Sequence, residues 1–263
     1  MSNAPVLDES IAERYSRDGF AFTPSIIPAE LIARVIPRMD AVIRGEFATG
    51  VPPHDYHFKP GDPDEKLRKV DNAHLSDPTI YELISHPELG KWAAAVTGAT
   101  YVQAWATQLL IKPPAPDQAN SAGNVGWHQD KQYWSYWDGE VFTAWIAVSN
   151  VTDRSGCMCF ARGSHQWGLF EVGDFFEGDI HRQRDTIAMG SGKVWNEAKA
   201  VLPPGAVSFH HRLTYHASGP NLESFPRLSF AVHMRTDMSR PIAQDYYTEH
   251  LDDPAYCPVI YQL

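Results

Sequence analysis

Apolar positions in the first hundred residues recur at helical spacing. In ESIAERYSRDGF, residues Ile11, Ala12 and Tyr15 share a face and Gly19 ends the turn. The stretch PAELIARVIPRMDAVIRGEF carries a stripe of Leu31, Val35, Met39 and Val42 behind Pro28, with Pro37 expected to kink it. DPTIYELISHPELGKWAAAVTG again opens a helix on Pro and closes it on Gly. Between these helices, segment 45–66 is rich in Pro, Gly, His and Asp and reads as a long loop of the lid type.

From residue 100 the alternation changes to period two. YVQAWATQLLIK, VFTAWIAVSNV, GCMCFA, AVSFHH and RLSFAVHMR read as strands. Strands at uneven intervals with no helices between them predict a jelly roll rather than a parallel α/β sheet. The expected fold is mainly β with N-terminal helices, a double-stranded β-helix (cupin-like) barrel flanked by α-helices. One domain spans 1–263: a helical cover over about 1–99, a jelly-roll core over about 100–235, and a tail over 236–263. Runs with Pro and Gly at 113–126 and 161–185 are expected to form the rim of the barrel mouth.

Composition narrows the partners. Apolar residues make up 43% and aromatics 12% of 263 residues, enough for a packed core. With 22 basic and 32 acidic side chains the formal charge is −10, which offers no footprint for nucleic acid and no polybasic patch for a membrane. No apolar run approaches the roughly 20 residues that span a bilayer. The start MSNAPVLDES lacks a basic and apolar leader, and three cysteines cannot complete a disulfide framework, so a reduced, cytoplasmic protein is expected. Cys157 and Cys159 alternate with larger apolar residues and read as small core residues. A homodimer is left open.

Twelve histidines are many, and most read as solvated or hydrogen-bonded, among them His54, His74, His86, His165, His181 and His250. VGWHQDKQYW differs: His128 and Asp130, two apart in a segment that reads as extended, point to one side. A third ligand is available from His210, His211 or His216 in SFHHRLTYHASGPN. Two imidazoles and one carboxylate leave the other metal positions open, the facial arrangement of non-haem Fe(II) oxygenases. Arg227, eleven residues after His216, opens a strand that can face the same interior, where its planar fork suits a carboxylate.

WHQD, AWIAVSNVTDRSGCMCFARGSH and GAVSFHHRLTYHASGPNLESFPR together resemble the phytanoyl-CoA dioxygenase family of Fe(II)- and 2-oxoglutarate-dependent oxygenases, over about residues 12–235. The resemblance implies that His128, Asp130 and His216 bind iron and are the catalytic set. It further implies that Arg227 binds the distal carboxylate of 2-oxoglutarate with Ser218 as second donor, while Trp145 and Lys69 are further co-substrate contacts. The implied reaction consumes O2, releases succinate and CO2, and hydroxylates or desaturates the substrate. A carboxylate at Asp130, where related halogenases have a small residue, favours those outcomes over halogenation.

The substrate is expected to be a small organic metabolite or natural-product intermediate. In KQYWSYWDG the rings of Tyr133, Trp134, Tyr136 and Trp137 crowd the expected pocket, and Tyr133 and Trp137 are the candidate contacts. His57, in a loop over 51–62 able to close on the pocket, is the third. A charge of −10 with no basic cluster argues against an acyl-CoA. The rival readings are a metal-dependent isomerase or hydrolase using the same triad without O2, and a non-catalytic small-molecule-binding barrel. Arg227 counts against the first and the intact triad against the second.

Overall fold

The computed structural model describes residues 10–59, 61–115, 123–170 and 172–263. Most of the N-terminal decapeptide and part of the 113–126 rim therefore lie outside the described residues.

Helices α1 (Ile11–Asp18) and α2 (Ala29–Ile43) form as their patterns require. Ser10 and Glu13 close a capping box on α1, and Gly19, at φ 83°, takes the left-handed conformation that ends it. In α2 the predicted stripe of Leu31, Val35, Met39 and Val42 is buried against the large sheet. The stretch 77–98 splits into α3 (Pro78–Ile84) and α4 (Pro87–Thr97), because Pro87 has no N–H to continue a helix and starts a new one instead. Asp77 and His86 cap the two starts.

The strands make two antiparallel sheets. Those in chain order are β1 (Phe20–Ser25), β2 (Asp55–Tyr56), β3 (Arg68–Asp71), β4 (Tyr101–Lys112), β5 (Val125–His128) and β6 (Trp137–Ala147), followed by β7 (Met158–Ala161), β8 (Glu197–Lys199), β9 (Ala206–His211), β10 (His216–Ser218), β11 (Arg227–Pro241) and β12 (Val259–Gln262). The large sheet runs β1-β9-β6-β11-β4-β3-β2, with β12 also on β4; the small sheet runs β5-β10-β7-β8. This is the jelly roll with helical flanks. The segment read as helical cover supplies β1, β2 and β3, and the tail supplies the end of β11 and all of β12. Strands β1, β2, β3 and β12 are two to six residues long, too short to stand out as a period-two signal. A helix α5 (Ile180–Ser191) packs on β5. Among the described residues no helix is long and apolar enough to cross a membrane.

Candidate active site

A cavity of about 320 Å³ lies between the sheets, walled by residues of β4, β6 and β11 on one side and β5, β7 and β10 on the other. Strand register brings its chemistry together. On the small sheet His128 and His216 are direct antiparallel partners, so their imidazoles lie side by side with ring centroids 4.1 Å apart. Asp130 is not on the strand: β5 ends at His128, and Asp130 opens a short 3-10 turn after an extended Gln129. It nevertheless reaches the two imidazoles. Its Oδ1 is 3.7 Å from His128 Nε2 and 3.6 Å from His216 Nε2, and one ligand atom from each of the three residues falls within 4.8 Å of the others.

The surroundings orient these atoms. His128 Nδ1 donates to the Gly126 carbonyl at 2.8 Å and His216 Nδ1 to the Thr214 carbonyl at 2.9 Å, which leaves both Nε2 lone pairs facing Asp130 Oδ1. The other carboxylate oxygen faces the large sheet, where His210, Thr143 and His233 are successive cross-strand partners on β9, β6 and β11. Asp130 Oδ2 accepts from Thr143 Oγ1 at 2.8 Å and sits 3.4 Å from His210 Nε2. Because the single Thr143 hydrogen goes to the carboxylate, His233 Nδ1, 2.9 Å away, is the N–H that donates to Thr143. Burial pushes the Asp130 carboxyl up, but the facing His216, His210 and His233 outweigh it and hold it well below the usual carboxylate range. Burial drives His216 far below an ordinary histidine and His128 below it as well, against the pull of Asp130. Neutral imidazoles and an ionised carboxylate are the protonation states a divalent metal requires.

At the β11 end of the cavity stands Arg227, only 2% exposed. Its Nη1 donates to the Gly156 carbonyl, its guanidinium lies 5.1 Å from the centroid of the buried Trp145 ring, and its Nε has no hydrogen-bond partner. Burial lowers it to about 10, so it remains a cation at neutral pH. Ser218 lines the same end and its hydroxyl oxygen accepts from Lys112 Nζ at 2.6 Å. Lys69 is on the wall, 3.1 Å from Asp71 Oδ1 and 5.9 Å from the Phe175 ring centroid. His57 also lines the cavity, with Nε2 2.7 Å from Asp71 Oδ2, which Tyr247 Oη approaches to 3.3 Å. Tyr133 is half-exposed at the rim, its hydroxyl accepting from the Phe175 amide at 3.1 Å.

Trp137 corrects the reading of the aromatic run. It is fully buried, packs 5.6 Å from Trp105 within a cluster that includes Val141 and Cys257, and does not border the cavity. Trp134 and Tyr136 border it instead. Cys157 and Cys159 are free thiols, the first buried and the second half-buried, in keeping with packing roles. Sequence reasoning left His210 open only as an alternative third ligand and passed over His233, Thr143, Lys112 and Asp71. His233 was within reach of a parity argument, since it is six residues from Arg227 on one strand and so on the same face. Thr143, and the place of His210 beside it on the large sheet, become visible only through register.

A jelly roll whose cavity brings together two neutral histidines, one carboxylate and a buried arginine with an unused donor defines a non-haem iron, 2-oxoglutarate-dependent oxygenase. Comparisons agree. The chain belongs to the phytanoyl-CoA dioxygenase (PhyH) family, whose model matches residues 15–229. It is 25% identical over 225 residues to a probable alpha-ketoglutarate-dependent hypophosphite dioxygenase of Stutzerimonas stutzeri, covering 81% of this chain and 73% of that one. It is 26% identical over 232 residues to 1-deoxypentalenic acid 11-beta-hydroxylase of Streptomyces arenae, covering 84% and 78%. In fold it is similar to the non-heme alpha ketoglutarate dependent carbocyclase SnoK from nogalamycin biosynthesis, at TM-score 0.69 and 21% identity over 94% of this chain and 91% of that one.

Proposed function

We propose that this oxygenase hydroxylates a small, largely apolar organic metabolite, with His128, Asp130 and His216 as the iron ligands and catalytic set. The donor chemistry fits the ion: two imidazole nitrogens with fixed tautomers and one ionised carboxylate, on one side of a cavity that leaves room opposite. With 2-oxoglutarate and O2, such an iron centre supplies removal of a hydrogen atom from an unactivated carbon and return of oxygen to it.

The chain's own residues do the rest. Arg227 is the single observation that carries the reading, a buried cation with an unsatisfied Nε at the end of the cavity, where a dicarboxylate would complete its hydrogen bonds. Ser218 would add a hydroxyl donor to that carboxylate, and Trp145 and Lys69 would wall the co-substrate. Tyr133, with Trp105, Trp134 and Tyr136, would exclude water around an apolar substrate body, while His57, held by Asp71, would meet its polar substituent. A net charge of −10 disfavours a multiply charged acyl-CoA at the mouth.

Anaerobic titration of the purified protein with Fe(II) and 2-oxoglutarate tests the reading. A weak visible charge-transfer band is expected for the natural protein and is lost when Asp130→Ala and His216→Ala are combined. Absence of the band, or its survival in the double variant, would sink the assignment. Metabolite pools are then screened for stimulated succinate release, and failure of every pool to raise it above the uncoupled rate would remove the support for a small-molecule substrate.

A further inference from the structure

Lys112 and Arg227 are direct cross-strand partners on β4 and β11, so two cations stand opposite each other on one face. Both are buried, at 0% and 2% exposure, and burial together with the facing guanidinium pushes Lys112 well below an ordinary lysine. Among the described residues no carboxylate pairs with either. Arg227 borders the cavity, whereas Lys112 lies behind its wall. The ammonium has three protons and three acceptors: Ser218 Oγ at 2.6 Å, the Gly219 carbonyl at 2.6 Å and the Ser218 carbonyl at 3.2 Å. None is left to reach a ligand directly.

The consequence falls on Ser218, which does border the cavity. Its oxygen already accepts a proton from Lys112, so its own hydrogen cannot point back at the ammonium and is free to turn to the cavity side, where Arg227 also stands. Gly156 permits the arrangement: at φ +66°, a Cβ there would come within 2.8 Å of Lys112 Cδ and 2.6 Å of the Gly219 carbonyl, and the Gly156 carbonyl is the one that holds Arg227. The same turn thus seats both cations.

We propose that Lys112 is a positioning residue for the dicarboxylate co-substrate. Through its contact with the hydroxyl oxygen it orients Ser218, beside Arg227, as an obligatory donor to the distal carboxylate. The proposal rests on the reading of the cavity as a 2-oxoglutarate site. It favours a dianionic over a monoanionic 2-oxo acid, because the oriented Ser218 hydroxyl and the unpartnered Arg227 Nε are used only when a distal carboxylate arrives.

Lys112→Met, nearly the same size and uncharged, is compared with the natural protein by anaerobic titration of the Fe(II)-loaded form, following the visible band rather than turnover. Two ligands are used, 2-oxoglutarate and 2-oxobutyrate, which share the 2-oxo acid and differ in the distal carboxylate. The variant is expected to weaken 2-oxoglutarate about ten-fold or more, the scale of a lost hydrogen bond to a charged group, and to leave 2-oxobutyrate unchanged. In a Ser218→Ala background the same change should cost less, since the route through the hydroxyl has gone. Unchanged 2-oxoglutarate affinity, equal loss for both ligands, or losses that multiply independently in the double variant would overturn the proposal. If Lys112→Met does not fold by circular dichroism, Ser218→Ala alone decides: it must lose 2-oxoglutarate selectively, and an equal effect on both ligands refutes an oriented donor. No band in the natural protein with either ligand overturns the underlying site reading instead.

Discussion

Thr143→Val removes one hydroxyl from the wall facing Asp130 while keeping the side chain's shape. Thr143 is 1% exposed, and the valine methyl fills the position of the lost oxygen. In the native arrangement a proton chain runs from His233 Nδ1 to Thr143 Oγ1 at 2.9 Å and on to Asp130 Oδ2 at 2.8 Å. The substitution leaves Asp130 Oδ2 with only His210, at 3.4 Å, and strands the His233 N–H. A hydrogen bond to a charged group contributes about 1.5–3 kcal/mol, or about 10- to 100-fold in an equilibrium constant, and outer partners of metal ligands have effects of that size. Fe(II) affinity should therefore fall about 10- to 100-fold by anaerobic calorimetry, and the metal-free protein should lose about 1–3 kcal/mol in urea unfolding for the orphaned donor. Thr143→Ser, which keeps the oxygen, should restore most of the metal affinity. Metal binding by Thr143→Val as tight as that of the natural protein would refute the claim that this bond holds the carboxylate in its ligating pose.

Arg227→Lys keeps the charge but loses the planar fork and the Gly156 contact; 2-oxoglutarate should bind at least about ten-fold more weakly by the charge-transfer band while Fe(II) affinity is unchanged, and a parallel loss of both would mean a collapsed site. His74 is buried, with Nε2–H donating to the Tyr256 carbonyl at 2.9 Å and Nδ1 accepting from Thr107 at 2.8 Å, and burial pushes it down from 6.5 to about 4. The unfolded chain binds the extra proton first, so His74's contribution is complete above pH 6.5 and is lost as pH falls toward 4, by about 3 kcal/mol. Urea unfolding across that window should show a shallower pH dependence for His74→Gln, and identical slopes would contradict the buried neutral state. Trp137→Ala should cost about 3–5 kcal/mol of stability, whereas Trp137→Phe should leave the substrate KM unchanged because the ring lies off the cavity; a KM increase without loss of stability would return it to the substrate wall.

What the sequence disclosed follows the range of the physics involved. Helix stripes such as Leu31, Val35, Met39 and Val42 are local, and their burial could be read directly. His128 and Asp130 were legible because they are two residues apart, although the backbone between them is a strand end leading into a turn rather than a continuous strand. Choosing His216 over its neighbours needed the family resemblance, since period-two parity alone also admits His210. The structure explains why that choice is difficult: His210 faces Asp130 too, but across from the large sheet and toward Oδ2 rather than Oδ1. Thr143, Lys112 and Asp71 were invisible because their meaning depends on which strands lie side by side, a fact of register over separations of up to about a hundred residues. Register also accounts for the division of labour around the single carboxylate. The small sheet presents the two Nε2 atoms to one oxygen, the large sheet presents Thr143 and His210 to the other, and with Thr143 and His210 engaging Oδ2, Oδ1 is the oxygen that would serve the proposed metal ion. A one-residue slip of β6 would turn Thr143 away and bring Phe142 or Ala144 to face the carboxylate, so the pairing of two strands with no ligand of their own decides whether the triad can work.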